Sequence, residues 1–323
     1  MNIQKFLIPD GIDYYTGKDA VLFEKLKLAV INIFKKYKYE FVITPIVDSI
    51  NNLNNLSKDN LKNITVSLSD RKELGIRSDI TPQISKLDYQ SYKKNKSNKF
   101  SYMGDIYRET ESPFDRNNPF QVGAEYFGII TDSIDMRMIK MCHEIAMLSK
   151  SKKILIELND AYFINKFFST LNISTKDKHK LSNLISIKSI DEVTYFFNSK
   201  KLPIKKLNEI TELLKLSGGA SIIKSIKQFS KKYNYNADSN IKSLKKITEN
   251  ISSFKNTDII IDICSLSSMD YETSFNYTFY IEKLRRPFAF GGRYQSYRLN
   301  DGKIRHATGF SLDLKDVVTL YEK

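Results

Sequence analysis

The stretch FQVGAEYFG, residues 120–128, decides both the fold class and the candidate site of this chain. Apolar residues alternate with polar or small ones along it, which is typical of a β-strand. Successive side chains of a strand point to opposite faces, so Gln121, Gly123 and Glu125 share one face. The pattern therefore presents an amide and a carboxylate on either side of a gap left by glycine. It fits a small ligand lying across the sheet, and an ordinary solvent-facing strand fits it equally well.

The segments around this stretch predict hairpins rather than alternating strands and helices. FSYMGDIYRE, residues 100–109, predicts the preceding strand, and residues 65–81 predict another hairpin. Residues 17–37 place Leu22, Leu26, Val30 and Ile33 on one stripe, which predicts an amphipathic helix. Further strands are predicted at 40–50 with Pro45 at an end or edge, 153–158, 258–266, 277–282 and 306–312, and further helices at 82–92 and 134–148.

Residues from about 160 to 252 differ from the rest of the chain. They are rich in Lys and Ser, helix-periodic and poor in strand signals, with breaks at KKLP and SGGA. Strand signals return after them. The order predicts an α+β fold, a mostly antiparallel sheet flanked by helices with a helical insert at about 160–252, rather than a doubly wound sheet. Whether the insert is a separate module or a flap over the sheet stays open.

The composition indicates a cytosolic protein with a real core. Hydrophobic residues make up 41% of the 323 residues. We find no run of eighteen apolar residues and no signal-peptide segment at the start. Cys142 and Cys264 are too few for a disulfide framework, and His143, His179 and His306 are scattered. The sequence predicts no metal site and no cofactor.

The net charge of +14 raises the question of a nucleic-acid partner. Twelve lysines fall between Lys200 and Lys246, spread among Leu and Ile at helical spacing. That spacing is typical of a solvated helix face. RNA binding by the insert is therefore kept only as an alternative.

Other polar residues could reach the face of Gln121 and Glu125. Arg108, one strand earlier, offers a bidentate fork for a carboxylate or phosphate. Asp79 and Thr81 are separated by two positions, which would place them on one strand face. FAFGGRYQSY, residues 288–297, has two glycines before Arg293 and Tyr294 that would permit close approach to a ligand.

Taken in order, these segments resemble the histidyl-tRNA synthetase family, including its paralogues, the regulatory subunits of ATP phosphoribosyltransferase. The specific parts are FQVGAEYFG and GGRYQSY; IPDGIDYY, VITPIVD, IRSDITPQISKL, YRE, MDYETSFNYTFYI and ATGFSLDL support them. The resemblance covers essentially the whole chain. It implies a class II synthetase catalytic-domain fold that is dimeric through the region around Pro45.

The resemblance also implies a histidine-binding pocket. By it, the α-ammonium of histidine would be held by Asp79, Thr81 and Gln121, its carboxylate by Arg108 and its imidazole by Glu125, with Tyr271 and Tyr294 as walls and Glu272 in the place of a second tyrosine. A carboxylate at that last position could accept an imidazole N–H or spoil the pocket.

The nucleotide half of the implied site departs from the family pattern. Asp316 stands where synthetases of this family have an arginine that grips ATP phosphate, and Ser267 stands where they have another. Asp115 and Asn117 replace two loop arginines, while Arg116 survives one residue out of phase. Losing positive charge where phosphate charge develops costs orders of magnitude in rate. We therefore expect the nucleotide half to be inactive.

The resemblance then favours a non-catalytic regulatory subunit of ATP phosphoribosyltransferase. Such a subunit would activate the short catalytic subunit in the first step of histidine biosynthesis, sense histidine, and form a homodimer within a hetero-oligomer. The last motif lies close to Lys323, so we expect no separate anticodon-binding domain, no productive tRNA charging and no tRNA binding. The alternatives are a minimal histidyl-tRNA synthetase, an RNA-binding paralogue or a structural remnant.

Overall fold

A computed structural model describes residues 11–53, 64–67, 73–109, 114–264, 272–299 and 301–321. Predictions for Ser267 and Tyr271 lie outside these ranges. None of the helices in these ranges is both long and apolar enough to cross a membrane.

The described helices and strands follow the order expected for an α+β chain. They are α1 (Gly17–Lys36), β1 (Glu40–Val42), β2 (Val47–Ser49), α2 (Ile50–Leu53), β3 (Ile64–Ser67), β4 (Glu73–Ile76), α3 (Thr81–Ser91), β5 (Asn98–Asp105), β6 (Phe120–Phe127), α4 (Asp132–Ala146), β7 (Ile154–Asp160), α5 (Tyr162–Ser169), α6 (Thr175–Ser186), α7 (Ile190–Ser199), α8 (Ile204–Leu214), β8 (Ser217–Gly218), α9 (Ile222–Lys232), α10 (Asp238–Ile251), β9 (Thr257–Asp262), β10 (Glu272–Ile281), β11 (Ala289–Arg298), β12 (Ile304–Asp313) and α11 (Leu314–Tyr321).

The described strands form a large sheet in the order β1-β5-β6-β12-β11-β10-β7-β9-β8. Its pairings are antiparallel except for β1 with β5 and β7 with β9, which confirms the mostly antiparallel sheet. A smaller sheet, β2-β4-β3, contains the predicted hairpin. Pro45 separates β1, at the edge of the large sheet, from β2 in the small one. The predicted single strand at 40–50 is therefore two short strands.

One face of the large sheet packs on helices α1, α4 and α11. Helix α1 buries Leu26, Val30 and Phe34, at the spacing that an amphipathic helix requires. Helix α4 contributes a buried carboxylate, Asp135, to the same layer. The Asp135 side chain accepts hydrogen bonds from Arg293 on β11, at 2.5 Å from Nη2, and from Thr308 on β12. An ion pair between the buried Asp135 and the half-buried Arg293 thus ties α4 to the middle of the sheet.

The helices between β7 and β9 share the hydrophobic core of the sheet. Helix α10 packs against α4, β7 and β9, and α5 packs against β10. Buried residues such as Phe196, Phe229 and Ile247 belong to the same continuous core as Val122 and Phe310. These helices are therefore joined to the sheet by apolar packing.

The opposite face of the sheet carries the candidate site. Glu125 on β6 pairs with Gly309 on β12, which in turn pairs with Gly292 on β11. Directly paired residues of antiparallel strands point to the same side, so this row begins with a carboxylate and continues over two glycines. Helix α3 lies over this face, packed on β6 and β11.

Candidate ligand-binding site

Glu125 is buried beneath hydroxyl groups at the centre of the site face. The OH of Tyr294 on β11 donates to Glu125 Oε2 at 2.9 Å, and the OH of Tyr102 on β5 donates to Oε1 at 3.2 Å. Thr81 Oγ1, at the start of α3, lies 3.5 Å from the same Oε1. Three elements thus converge on one carboxylate of β6, the strand that the sequence predicted.

A second carboxylate lies beside this group at the turn before α3. Asp79 Oδ1 accepts hydrogen bonds from the Thr81 N–H at 3.0 Å and from Gln121 Nε2 at 2.7 Å. Gln121 Oε1 accepts from the Ile80 N–H at 2.8 Å. Asp79 therefore caps the start of α3 while Gln121 anchors that turn to β6. The structure joins Asp79, Thr81 and Gln121 in one network.

The prediction that Asp79 and Thr81 share a strand face was wrong. Strand β4 ends at Ile76, so neither residue lies on a strand. The two side chains meet because Asp79 turns back onto the first turn of α3, where Thr81 Oγ1 also donates to Asp79 Oδ1 at 3.0 Å. An Asx turn explains the interval of two better than strand alternation does.

Tyr102 connects Thr81 to Glu125, and the sequence analysis did not identify it. Its OH lies 3.1 Å from Thr81 Oγ1 and also donates to Glu125. The ring is fully buried against Gly123, where an added Cβ would lie 2.4 Å from the tyrosine OH. The available signal was the strand pairing, because Tyr102 stands opposite Gly123 and the missing side chain leaves room for the ring.

Two buried acidic groups, Asp79 and Glu125, dominate the described part of the site. Within the described part of the chain, neither Asp79 nor Glu125 forms an ion pair, although both are buried. Burial raises the pKa of Glu125 to about 8; hydrogen bonds from Tyr294, Tyr102 and Thr81 lower it, and the nearby charge of Asp79 raises it. A pocket of this kind is suited to a ligand that brings its own positive charge and N–H donors.

The remaining predicted site residues are only partly placed. Tyr294 lies in the network, whereas Arg108 on the half-buried loop after β5 makes a backbone hydrogen bond to Asn117. Among the described contacts, no side-chain bond joins Arg108 to the carboxylates. Tyr271 lies outside the described residues, and Glu272 is described only as part of the β10 backbone, opposite Tyr294. Their roles stay predictions.

Residues of the nucleotide half, which was expected to be inactive, form a cluster of charged side chains with their neighbours. Arg116 Nη1 donates to Asp316 Oδ1 at 2.5 Å and to Asp313 Oδ2 at 2.9 Å. Arg286 Nη2 donates to the same two atoms, at 2.7 and 3.4 Å. Asp313 pairs with Gln121 across β12 and β6, so the cluster adjoins the Asp79 end of the site. We call these four residues the arginine–aspartate cluster.

Two further aspartates add negative charge to the rim of this cluster. Arg116 Nε pairs with Asp13, and Arg286 Nε lies 3.5 Å from Asp115. Lys315 is turned away, donating from Nζ to the carbonyl of Asn118 at 2.5 Å. Arg286 was not singled out from the sequence, because it comes from the turn between β10 and β11, far from the other members. No group of residues in the described ranges could hold a metal ion.

The large, mostly antiparallel sheet flanked by helices is the class II synthetase catalytic-domain fold. The chain belongs to the histidyl-tRNA synthetase family, whose model matches residues 11–317.

Curated and solved relatives agree with that assignment. The ATP phosphoribosyltransferase regulatory subunit of Pseudomonas fluorescens (strain Pf0-1) is 25% identical over 323 residues, covering 98% of this chain and 81% of that protein. The crystal structure of an ATP phosphoribosyltransferase regulatory subunit/histidyl-tRNA synthetase from Bacillus halodurans superposes with a TM-score of 0.79 at 18% identity, covering 98% and 83% of the two chains. A chain of the ATP phosphoribosyl transferase complex from Thermotoga maritima superposes with a TM-score of 0.66 at 17% identity. The match covers 94% of this chain and 98% of that one. The structural likenesses support the fold.

Proposed function

We propose that this chain is the non-catalytic regulatory subunit of an ATP phosphoribosyltransferase in the cytoplasm and that free histidine is its ligand. The observation that carries the proposal is the pair of buried carboxylates, Asp79 and Glu125, beside an arginine–aspartate cluster that is already neutralised. The two carboxylates would bind an amino acid, whereas the neighbouring Arg116 and Arg286 are already paired with Asp313 and Asp316. The similarity to curated regulatory subunits over 98% of the chain supports the same assignment.

Histidine fits the charges of the pocket. Its α-ammonium would bind near Asp79, Thr81 and Gln121, where the buried Asp79 carboxylate accepts hydrogen bonds from Gln121 Nε2 and Thr81 Oγ1. An imidazole N–H would then donate to Glu125, which the hydroxyls of Tyr102 and Tyr294 hold in place. The partly buried Arg108 is the proposed partner of the ligand carboxylate.

The proposed partner is the short catalytic subunit, which joins ATP to phosphoribosyl pyrophosphate. Histidine in the pocket would favour a less active state of the assembly, which requires that histidine bind the two states with different affinity. The coupling is reciprocal, so the state of the catalytic subunit would also change the affinity for histidine.

We also propose a homodimer through the segment around Pro45. Ile43 is 84% exposed and Ile46 is 47% exposed, and both flank this proline between the two sheets. Exposed aliphatic side chains next to an edge strand are typical of a surface that a second chain covers.

The arginine–aspartate cluster argues against synthetase activity. Asp316 is 1% exposed and forms ion pairs with both Arg116 and Arg286. Two carboxylates at this position would repel the phosphates of ATP by Coulomb interaction. Histidine-dependent exchange of pyrophosphate into ATP is the measurement that would reveal a synthetase.

A coupled assay tests the proposed function. The short catalytic subunit from the same organism is supplied with ATP and phosphoribosyl pyrophosphate, this chain is added or withheld, and histidine is titrated. We expect product formation to require both chains and to fall as histidine rises. No change on adding this chain would overturn the regulatory role, and activation without any response to histidine would overturn the ligand.

A further inference from the structure

The site face carries a second buried polar side chain opposite Glu125. The row that begins at Glu125 passes over the two glycines and reaches Asn276 on β10, which pairs directly with Gly292. Directly paired residues of antiparallel strands point to the same side of the sheet. Asn276 therefore shares the face of Glu125, and its side chain is buried, since the residue is only 5% exposed.

The side-chain amide nitrogen of Asn276 is a buried donor that the fold itself does not satisfy. Its Nδ2 has no hydrogen-bond partner among the described residues. A buried donor left in this state costs free energy, and asparagine is disfavoured within strands. Because β10 is paired on both sides, with β11 and β7, an apolar residue would suit this position better. Packing alone therefore does not explain Asn276.

Both polar side chains lie close to the glycine floor, by which we mean Gly309 and Gly292. A Cβ added to Gly309 would collide with Glu125 Oε2, so the carboxylate reaches over β12. A Cβ added to Gly292 would lie 2.6 Å from the Cβ of Asn276, so the asparagine side chain starts beside β11. Between one and two strand spacings, roughly 5–10 Å, thus separate the two polar ends. The glycine floor places no side chain between them.

A bulge in β10 immediately precedes Asn276. The register of β10 against β11 shifts between Glu272 and Asn276, whereas its register against β7 is continuous from Phe275 to Ile281. Bulges re-aim the side chains beside them and are over-represented next to active sites. The irregularity lies on the β11 side of the strand, which is the side towards Glu125.

We infer that Asn276 determines the specificity of the site by donating its amide N–H to an unprotonated ring nitrogen of the ligand, across the ring from Glu125. The inference rests on the proposed function, in which histidine is that ligand. A neutral imidazole has one N–H donor and one acceptor nitrogen. Glu125 accepts from the first, and Asn276 donates to the second. A five-membered ring that is hydrogen-bonded on both sides needs about 8 Å between its partners, which agrees with the separation across the glycine floor.

This pairing distinguishes imidazole from rings of similar shape. A site that hydrogen-bonds a ligand group rejects an analogue that lacks the group, since the polar atom of the protein is then left unpaired. A phenyl ring would pair with neither Glu125 nor Asn276, and a pyrrole ring would pair with Glu125 alone. Asn276 therefore selects amino acids whose ring carries both a donor and an acceptor nitrogen.

The test compares ligands by isothermal titration calorimetry at pH 8, where the imidazole of free histidine is neutral. The ligands are histidine, 3-(pyrrol-2-yl)alanine and 3-(pyrrol-3-yl)alanine; each pyrrole keeps one ring N–H and has C–H in place of the other nitrogen. The proteins are the wild-type chain, Asn276→Leu and a control, Asn208→Leu. Asn276→Leu replaces the amide with an apolar group of similar size, and Asn208→Leu makes the same change at an exposed position on α8.

We expect the wild type and Asn208→Leu to bind histidine at least about tenfold more tightly than either pyrrole. Asn276→Leu should bind histidine about tenfold less tightly than the wild type and should lose the preference. Should Asn276→Leu not fold, Asn276→Ala, which removes the same donor, decides by the same criterion.

Two results would separate this inference from the proposed function. If the wild type binds histidine but does not prefer it to the pyrroles, or if Asn276→Leu keeps the preference, the role of Asn276 is wrong and histidine stays the ligand. If the wild type does not bind histidine at all, the proposed ligand is wrong and the role of Asn276 fails with it.

Discussion

At the scale of single residues, Glu125 is the most informative side chain of the molecule. A carboxylate that is 2% exposed normally has a cationic partner, yet its described partners are the hydroxyls of Tyr102, Tyr294 and Thr81. Hydroxyl groups can donate to the ionised carboxylate or accept from the protonated acid. These hydroxyl groups can therefore hydrogen-bond Glu125 in either protonation state.

Glu125→Gln tests the role of the charge in ligand binding. The amide keeps the size of the side chain but removes a charge-assisted hydrogen bond, so we expect histidine affinity to fall by about ten- to a hundredfold. Calorimetry with the free amino acid measures it. Glu212→Gln, which removes a surface charge on α8, is the matched control and should bind as the wild type does. Equal affinity for both variants would contradict the assigned role.

Histidine binding should release a proton from Glu125. The pKa is raised to about 8 in the free protein, and a ligand that donates an N–H to the carboxylate lowers it again. Affinity therefore rises with pH up to about 8 and levels off above it; between pH 7 and 8 the rise is about fivefold, from the ionised fraction alone.

The released proton can be measured directly by calorimetry in buffers with different heats of ionisation. Binding at pH 7 should release close to one proton in the wild type and none in Glu125→Gln. A wild-type binding heat that does not depend on the buffer would show that Glu125 keeps its protonation state.

At the scale of elements, the row of glycines lets β6, β12 and β11 carry large groups on one face. A Cβ on Gly309 would lie 1.8 Å from Glu125 Oε2 and 2.7 Å from the carbonyl oxygen of Ala124. A Cβ on Gly292 would lie 2.6 Å from the Cβ of Asn276. The backbones of both glycines are extended, a conformation that any residue adopts. Glycine is therefore required because an added side chain would collide with the neighbouring strand.

Gly309→Ala should therefore both destabilise the sheet and displace Glu125. Because the neighbouring carbonyl cannot move freely, we expect a loss of about 1–3 kcal/mol in the free energy of unfolding, together with weakened histidine binding. Urea denaturation measures the first and calorimetry the second. The control is Gly219→Ala, where an added Cβ meets nothing within 4 Å. A Gly309→Ala variant as stable as this control would contradict the packing argument.

Local sequence patterns predicted most of the helices and strands, whereas contacts between residues distant in sequence were harder to predict. Strand alternation placed Gln121 and Glu125 on one face because the period of a strand is set by its backbone. The same rule failed for Asp79 and Thr81, since the chain turns into α3 between them. Tyr102 and Arg286 were missed because their roles depend on strand pairing and on a turn that no local pattern fixes. Those contacts become visible only when the sheet is assembled.

At the scale of the whole molecule, the helices between β7 and β9 and the sheet share one hydrophobic core. Ile241 and Leu244 of α10 belong to the same cluster of buried residues as Cys142 of α4 and Leu158 of β7. A separate module would be expected to have a core of its own. The packing favours the view that this region folds with the sheet.

Calorimetric unfolding of the full chain tests that view. We expect a single cooperative transition, because the helical region and the sheet share the larger of the two described clusters of buried residues. Histidine at a hundred times its dissociation constant should stabilise the chain by about 2.7 kcal/mol and raise the midpoint of that transition. Two separate transitions, only one of them shifted by histidine, would show that the helical region unfolds independently.

The arginine–aspartate cluster also limits the evolutionary history open to this chain. An arginine in place of Asp316 would remove a carboxylate that pairs with both Arg116 and Arg286 and would add a third guanidinium group to a largely buried cluster. A reversion would therefore be harmful unless Arg116 or Arg286 changed with it. Under the proposed function, substitutions around Glu125 would therefore change the preferred amino acid more easily than a single substitution at Asp316 would create a phosphate site.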